Sequence, residues 1–248
     1  MGQRTYALAV KQMDKKREGD EQLLKNKIVL ITGSSSGIGQ ETAIAFAKKG
    51  SIVIVTYLNG KRNGEKVFQE CKSYSNSALY HLDVGDDLSI KEVIDDVIKR
   101  FERIDILVNN AGVLTEKILK EQSINEIEDQ VKTNLLGVIK MTHAVLPFFY
   151  IQNEGIIINI ASGAGKQGFA ELTVYCATKF GVRGFTQALS EELPNTIRTY
   201  SINPSTTATK MTDYTGVDPK IVAGVIVNAA KEKFGKSSGD DIDVWNYS

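Results

Sequence analysis

From Lys27 almost to its end, the chain alternates short β-branched runs with longer stretches of helical periodicity. The runs are KIVLIT (Lys27–Thr32), IVIVTY (Ile52–Tyr57), ALYHL (Ala78–Leu82), IDILVNN (Ile104–Asn110), GIIINIA (Gly155–Ala161), IRTYSIN (Ile197–Asn203) and DIDVW (Asp241–Trp245). Such near-continuous apolar runs are strands buried on both faces, which is the pattern of parallel sheets. Helix-length connections between them make right-handed crossovers. The expected fold is therefore α/β: one doubly wound, mostly parallel seven-stranded sheet with helices on both faces, as a single domain over residues 27–248.

The helical stretches agree with this. Ile38, Thr42, Ile44, Ala45 and Ala47 precede Gly50, and Ile90, Val93, Ile94, Val97 and Ile98 form a stripe. A long helical region covers Ile124–Tyr150, where Pro147 is expected to end or bend it. Further helices fall at Leu172–Leu193 and Pro219–Phe234. Residues 1–26 read as a separate charged arm, either a helix docking on a neighbouring subunit or disordered. They carry neither the apolar core of a signal peptide nor the Ser or Thr that a myristoylation signal wants at Tyr6.

Composition narrows the function. Thirty basic residues balance thirty acidic ones, so no global field favours nucleic acid or an anionic membrane. No consecutive apolar run approaches the roughly 18–20 residues that span a bilayer. Cys71 and Cys176 suggest no disulfide framework, and fit a reducing cytoplasm. Small-molecule chemistry is the expectation, with neither nucleic acid nor membrane as partner.

In a doubly wound sheet, ligands bind beyond the carboxyl ends of the strands. Five segments follow strands: Thr32–Gly39, Asp83, Asn109–Gly112, Ser162 and Pro204–Thr209. In TGSSSGIG, Gly33, Gly37 and Gly39 allow a tight turn and let backbone approach a pyrophosphate at a helix N-terminus. Tyr175 and Lys179 stand one helical turn apart, so an ammonium can sit beside a phenol. A neighbouring positive charge lowers a phenol's pKa from near 10 toward a range useful for acid–base work.

With the glycine turn, NNAG (Asn109–Gly112), Asn134, Ser162, Tyr175 and Lys179 in this order, the chain resembles the short-chain dehydrogenase/reductase family, over roughly Lys27 to Trp245. The resemblance implies a Rossmann-like fold and NAD(P)-dependent hydride transfer between an alcohol and a carbonyl. It makes Tyr175 the general acid in reduction and the base in oxidation. Lys179 would lower the Tyr175 pKa and hold the nicotinamide ribose, Ser162 would donate to the substrate oxygen, and Asn134 would hold a relay water. Ser35, Ser36, Ile38 and Tyr57 would join the three glycines around the cofactor. Asp83 would bond the adenine amino group, with Val84 beside the ring. Asn109, Ala111 and Gly112 would line the cleft, and Pro204 and Thr209 would border the carboxamide. Here Ser205 stands where the family's P-G-x-x-x-T segment has glycine. A homotetramer, or else a dimer, is the implied assembly.

An acid at the end of the second strand would bind a ribose 2′-hydroxyl and repel a 2′-phosphate. This chain has Thr56, Tyr57 and Leu58 there, with Lys61 and Arg62 close by, so NADP(H) is favoured over NAD(H). Phe169, Leu172, Met211 and Tyr214 are candidate pocket walls, whereas Trp245 reads as core or subunit interface. The seven residues Met211–Val217 are too short for a lid, which suggests an open cleft or a small substrate. Cys176 has no histidine at usable spacing for a thiol nucleophile, and His81 and His143 are too few for a zinc site. The alternative function is a nucleotide-binding regulatory protein on the same fold, whose mark would be a lost catalytic residue.

Overall fold

The protein is described here from a computed structural model, in which residues 22–247 are described. Seven strands form one sheet: β1 (Ile28–Ile31), β2 (Ile52–Tyr57), β3 (Ala78–His81), β4 (Ile106–Asn109), β5 (Gly155–Ile160), β6 (Ile197–Asn203) and β7 (Asp241–Asp243). Their order is β3-β2-β1-β4-β5-β6-β7, and every pair is parallel. The winding direction reverses between β1 and β4, which opens a crevice at their carboxyl ends.

Side-chain alternation sorts the strands' residues between two cores. Val29, Ile31, Val53, Val55 and Ile158 point to α1 (Gly37–Ala47), α2 (Lys61–Lys72) and α7 (Pro219–Ala230). Ile28, Leu30, Ile54, Leu107 and Ile157 point to α3 (Asp87–Phe101), α5 (Gly137–Gln152) and α6 (Thr173–Glu192). The period of two thus supplies both faces of a three-layer sandwich.

Helix ends follow local chemistry. Asp86 caps α3 by accepting from the Ser89 amide. A capping box between Ser123 and Glu126 starts α4 (Ile124–Val131). The helix then widens into a π turn at Lys132–Leu136 before continuing as α5.

Three expectations change. The charged arm lies outside the described residues up to position 21, but the boundary at 27 falls too late: Leu24 is buried in the core, and its carbonyl accepts from Ser51 Oγ at 2.8 Å. A two-leucine signal at 23–24 is too short to mark a core element. Pro147 does not end its helix, which runs on to Gln152 and closes at Asn153 in the left-handed conformation, φ 51°. The continuous helix Ile124–Gln152, which contains an 18-residue stretch at mean hydropathy 1.3, is long and apolar enough to cross a membrane by length and composition alone. Counting consecutive apolar residues misses it because polar residues interrupt the run. Here Met141, Val145 and Phe149 face the sheet as core.

Candidate active site

The carboxyl ends of the strands frame a cleft of about 1190 Å³. Ordinary single-ligand pockets run to roughly 300–1,000 Å³, so this one has room for a dinucleotide together with a substrate.

At one end lies the glycine turn. Gly33 has φ +64°, and a Cβ there would sit 3.0 Å from Ala111 Cα, so only glycine fits without strain. Its N–H donates to Thr56 Oγ1 at 3.0 Å, while Ser34 Oγ bonds the Ile31 carbonyl at 3.0 Å and accepts from the Thr56 amide at 2.8 Å. The turn is therefore braced from β2 and leaves the N-terminus of α1 toward the cleft. That helix has no side-chain cap and no acidic residue in its first turn. Such an end presents amides and positive potential to an anion. A dinucleotide pyrophosphate fits this cradle, with Ser35, Ser36, Gly37 and Ile38 as its walls.

Most of the expected cofactor residues meet there. Asp83, Val84, Ala111, Gly112, Pro204 and Thr209 all line the cleft. Asp83 Oδ1 accepts from the Gly85 amide at 2.8 Å, a bond that fixes the loop after β3.

Three do not reach it. Asn109 is buried below the cleft, donating through Nδ2 to Thr142 Oγ1 at 3.0 Å and Asn159 Oδ1 at 2.8 Å. Its neighbour Asn110 lines the cleft in its place, because successive strand residues point to opposite faces. Tyr57 turns toward His81 in an edge contact, ring centres 5.5 Å apart, and leaves Leu58 and Asn59 at the wall. Gly39 serves packing: a Cβ there would meet Asn110 Nδ2 at 2.4 Å.

At the other end, Ser162, Tyr175 and Lys179 line the same cleft. Ser162 follows β5 and accepts from the Ala164 amide at 3.1 Å. Burial pushes the Tyr175 phenol above the ordinary tyrosine value, and a hydrogen bond with Ser162 pulls it back in part. Burial also brings Lys179 down to about 8. Lys179 Nζ donates to the Ile160 carbonyl at 2.8 Å and lies 5.6 Å from the Tyr175 ring centre. The ammonium is thus turned to a backbone carbonyl while staying close to the phenol ring.

Asn134 is fully buried in the π turn and does not line the cleft. Its side chain is fully engaged: Oδ1 accepts from the Val113 amide at 2.7 Å, and Nδ2 donates to the Val113 carbonyl at 2.8 Å and to Thr178 Oγ1 at 3.3 Å. It therefore ties the loop after β4 to α6, one residue from Lys179.

The substrate side is more apolar. Phe169, Leu172 and Met211 line it, while Tyr214 points to solvent, 73% exposed. Trp245 is not core but a cleft wall. No pattern announces that role, because a single tryptophan at the end of a strand carries no period. No group of three or more metal-ligating side chains occurs among the described residues.

The short chain dehydrogenase family model matches residues 27–219. The chain belongs to that family. It is a short-chain NAD(P)-dependent oxidoreductase that acts on CH–OH groups and their carbonyl counterparts. Among its relatives is an NADP-dependent 3-hydroxy acid dehydrogenase of Schizosaccharomyces pombe, 39% identical over 192 residues, which are 75% of this chain and 74% of that one. A 3-oxoacyl-(acyl-carrier-protein) reductase of Thermotoga maritima is 35% identical over 77% of this chain and 78% of its own. Among solved structures, a 3-ketoacyl-(acyl-carrier-protein) reductase from Brucella melitensis complexed with NADH superposes with TM-score 0.84 at 27% identity, covering 89% of this chain and 97% of that one.

Proposed function

We propose that this oxidoreductase reduces a ketone with NADPH, or runs the reverse oxidation, using Tyr175 as the proton-transfer residue. The observation that carries the reading is the meeting of Ser162, Tyr175 and Lys179 in one cleft whose far end is the glycine turn. When bound, the nicotinamide supplies the hydride. In reduction the Tyr175 hydroxyl gives its proton to the carbonyl oxygen as negative charge builds there, and Ser162 Oγ donates to the same oxygen. The Lys179 ammonium, turned from Ile160 toward the ribose and the phenol, stabilises the phenolate left behind. The Asn134 side chain has no free polar atom, so a relay water would be held by main chain in the widened turn.

The preference for NADPH rests on the mouth of α2. No acid stands at the end of β2, and Leu58, Asn59 and Ser35 form the wall. Lys61 and Arg62 occupy the first turn of α2, whose cap Gly60 offers no side chain. Cations at a helix N-terminus oppose the macrodipole, which makes sense where an anion such as a 2′-phosphate arrives between them. A tetramer, or else a dimer, is the proposed assembly, supported by exposed Ile124, Val131, Leu136 and Phe180 on the helices that carry Asn134 and Tyr175.

A screen following NADPH oxidation at 340 nm against ketones, aldehydes, sugars and 3-oxoacyl thioesters tests the reading. Turnover that vanishes in Tyr175→Phe with NADPH binding intact is the expected result. Binding of NADPH without oxidation by any carbonyl would revive the regulatory alternative.

A further inference from the structure

The terminal segment after β7 is fixed, not trailing. Val244 is 1% exposed in the core, and Tyr247 stacks on Phe234 with ring centres 4.2 Å apart. Trp245 stands between these two anchors, 43% exposed and in the cleft wall. A Cβ at Gly163 would lie 3.7 Å from Trp245 Cζ3, so the indole edge abuts the residue that follows Ser162. The Lys166 ammonium lies 5.6 Å from the indole centre and is held by the Asp243 carboxylate at 2.5 Å. Asp243 also accepts from Asn203 Nδ2 at 2.9 Å, which ties the clasp to the end of β6.

Lys166 is thus already paired, and it offers the cleft the flank of an ion pair in place of an open cation. Beside Ser162 the cleft offers a substrate an indole wall, with Phe169, Leu172 and Met211 in the same cleft. Such a wall gains affinity from apolar area removed from water and offers a polyhydroxylated chain few partners.

From this we infer that Trp245 is a specificity-determining residue, and that the substrate is a ketone whose carbonyl carries an apolar substituent of several carbons, packed on the indole beside Gly163. The inference rests on the proposed Tyr175 chemistry and adds the substrate class.

The test is a homologous series of straight-chain ketones, from butanone upward, run alongside the same series as 3-oxo esters and a set of ketose sugars, with NADPH. KM should fall about two- to fourfold with each added methylene until the wall is covered, and the sugars should be poor substrates. In Trp245→Ala the KM of the longest ketone should rise about tenfold or more, against a much smaller rise for butanone, and Trp245→Phe should restore most of the difference. The NADPH KM serves as control, and a thermal melt shows whether each variant is folded. A KM independent of chain length in the wild-type enzyme, a preference for sugars, or an unchanged long-to-short ratio in a folded Trp245→Ala overturns the inference while leaving the Tyr175 chemistry standing. Failure of every carbonyl compound to oxidise NADPH refutes the underlying reading instead.

Discussion

The Lys179 ammonium is bonded to the Ile160 carbonyl at 2.8 Å, on the strand that ends one residue before Ala161 and two before Ser162. This parks a charge, 5% exposed, on a neutral acceptor, with no carboxylate beside it among the described residues. Burial therefore makes the charged form of Lys179 costly.

That cost is measurable through pH. The folded-state pKa of Lys179, about 8, lies below the ordinary 10.5, so the folded protein binds this proton less tightly than the unfolded chain. Below pH 8 the penalty is present in full, about 3 kcal/mol for the whole shift, and it fades as pH rises from 8 to 10.5. Lys179→Met should be more stable than the parent by up to about 3 kcal/mol at pH 7, and the gain should shrink by pH 10. Urea unfolding of both proteins across that range checks it; a gain that grows with pH contradicts the sign.

Ser162→Ala removes the one hydrogen bond that lowers the Tyr175 pKa. Beyond a loss of roughly 10²–10³ in kcat, the alkaline shift should show in the oxidation direction, which needs the phenol deprotonated. A kcat–pH profile with an unmoved midpoint would argue against the Ser162–Tyr175 coupling.

A buried polar ladder links the two site helices. Thr142 of α5 accepts from Asn109, Asn109 donates to Asn159, and Asn159 Nδ2 donates to Thr186 Oγ1 of α6 at 2.9 Å. Asn159→Leu strands one donor on Asn109, and should destabilise the fold by roughly 2–3 kcal/mol in chemical denaturation. A cost below about 0.5 kcal/mol would mean that the ladder is slack.

Gly33→Ala places a side chain at φ +64° against Ala111. The strain is about 1–2 kcal/mol, and the displaced turn should raise the NADPH Kd at least about tenfold by fluorescence titration.

Reversing charge at the mouth of α2 separates the cofactors. In the double variant Lys61→Glu, Arg62→Glu the KM for NADPH should rise about tenfold or more, with little change for NADH. Equal effects on both would remove the 2′-phosphate from this corner.

The sheet was legible because parallel strands buried on both faces read as unbroken apolar runs, and all seven runs became strands. The cleft was legible in outline, since the motif residues follow those strands. What escaped was geometry that a period cannot carry. Asn109 and Asn110 look interchangeable until the pleat decides which faces the cleft. Tyr57 was drawn off by His81, a contact from a neighbouring strand. Trp245 gained its place from anchors at Val244 and Tyr247 on either side of it.

The widened turn at Lys132–Leu136 sets the phase of a whole helix. Gln130, Asn134, Gly137, Val138, Met141, Thr142, Val145 and Phe149 are its buried positions, and following one per turn from Gln130 to Phe149 takes 19 residues over five turns. Unbroken α-helix would take about 18. The surplus residue amounts to about 100° of rotation, the angle between one face of the rod and its flank. It lets a single helix seal the loop after β4 with its first half and the sheet with its second. Deleting one residue there would force a choice between the two.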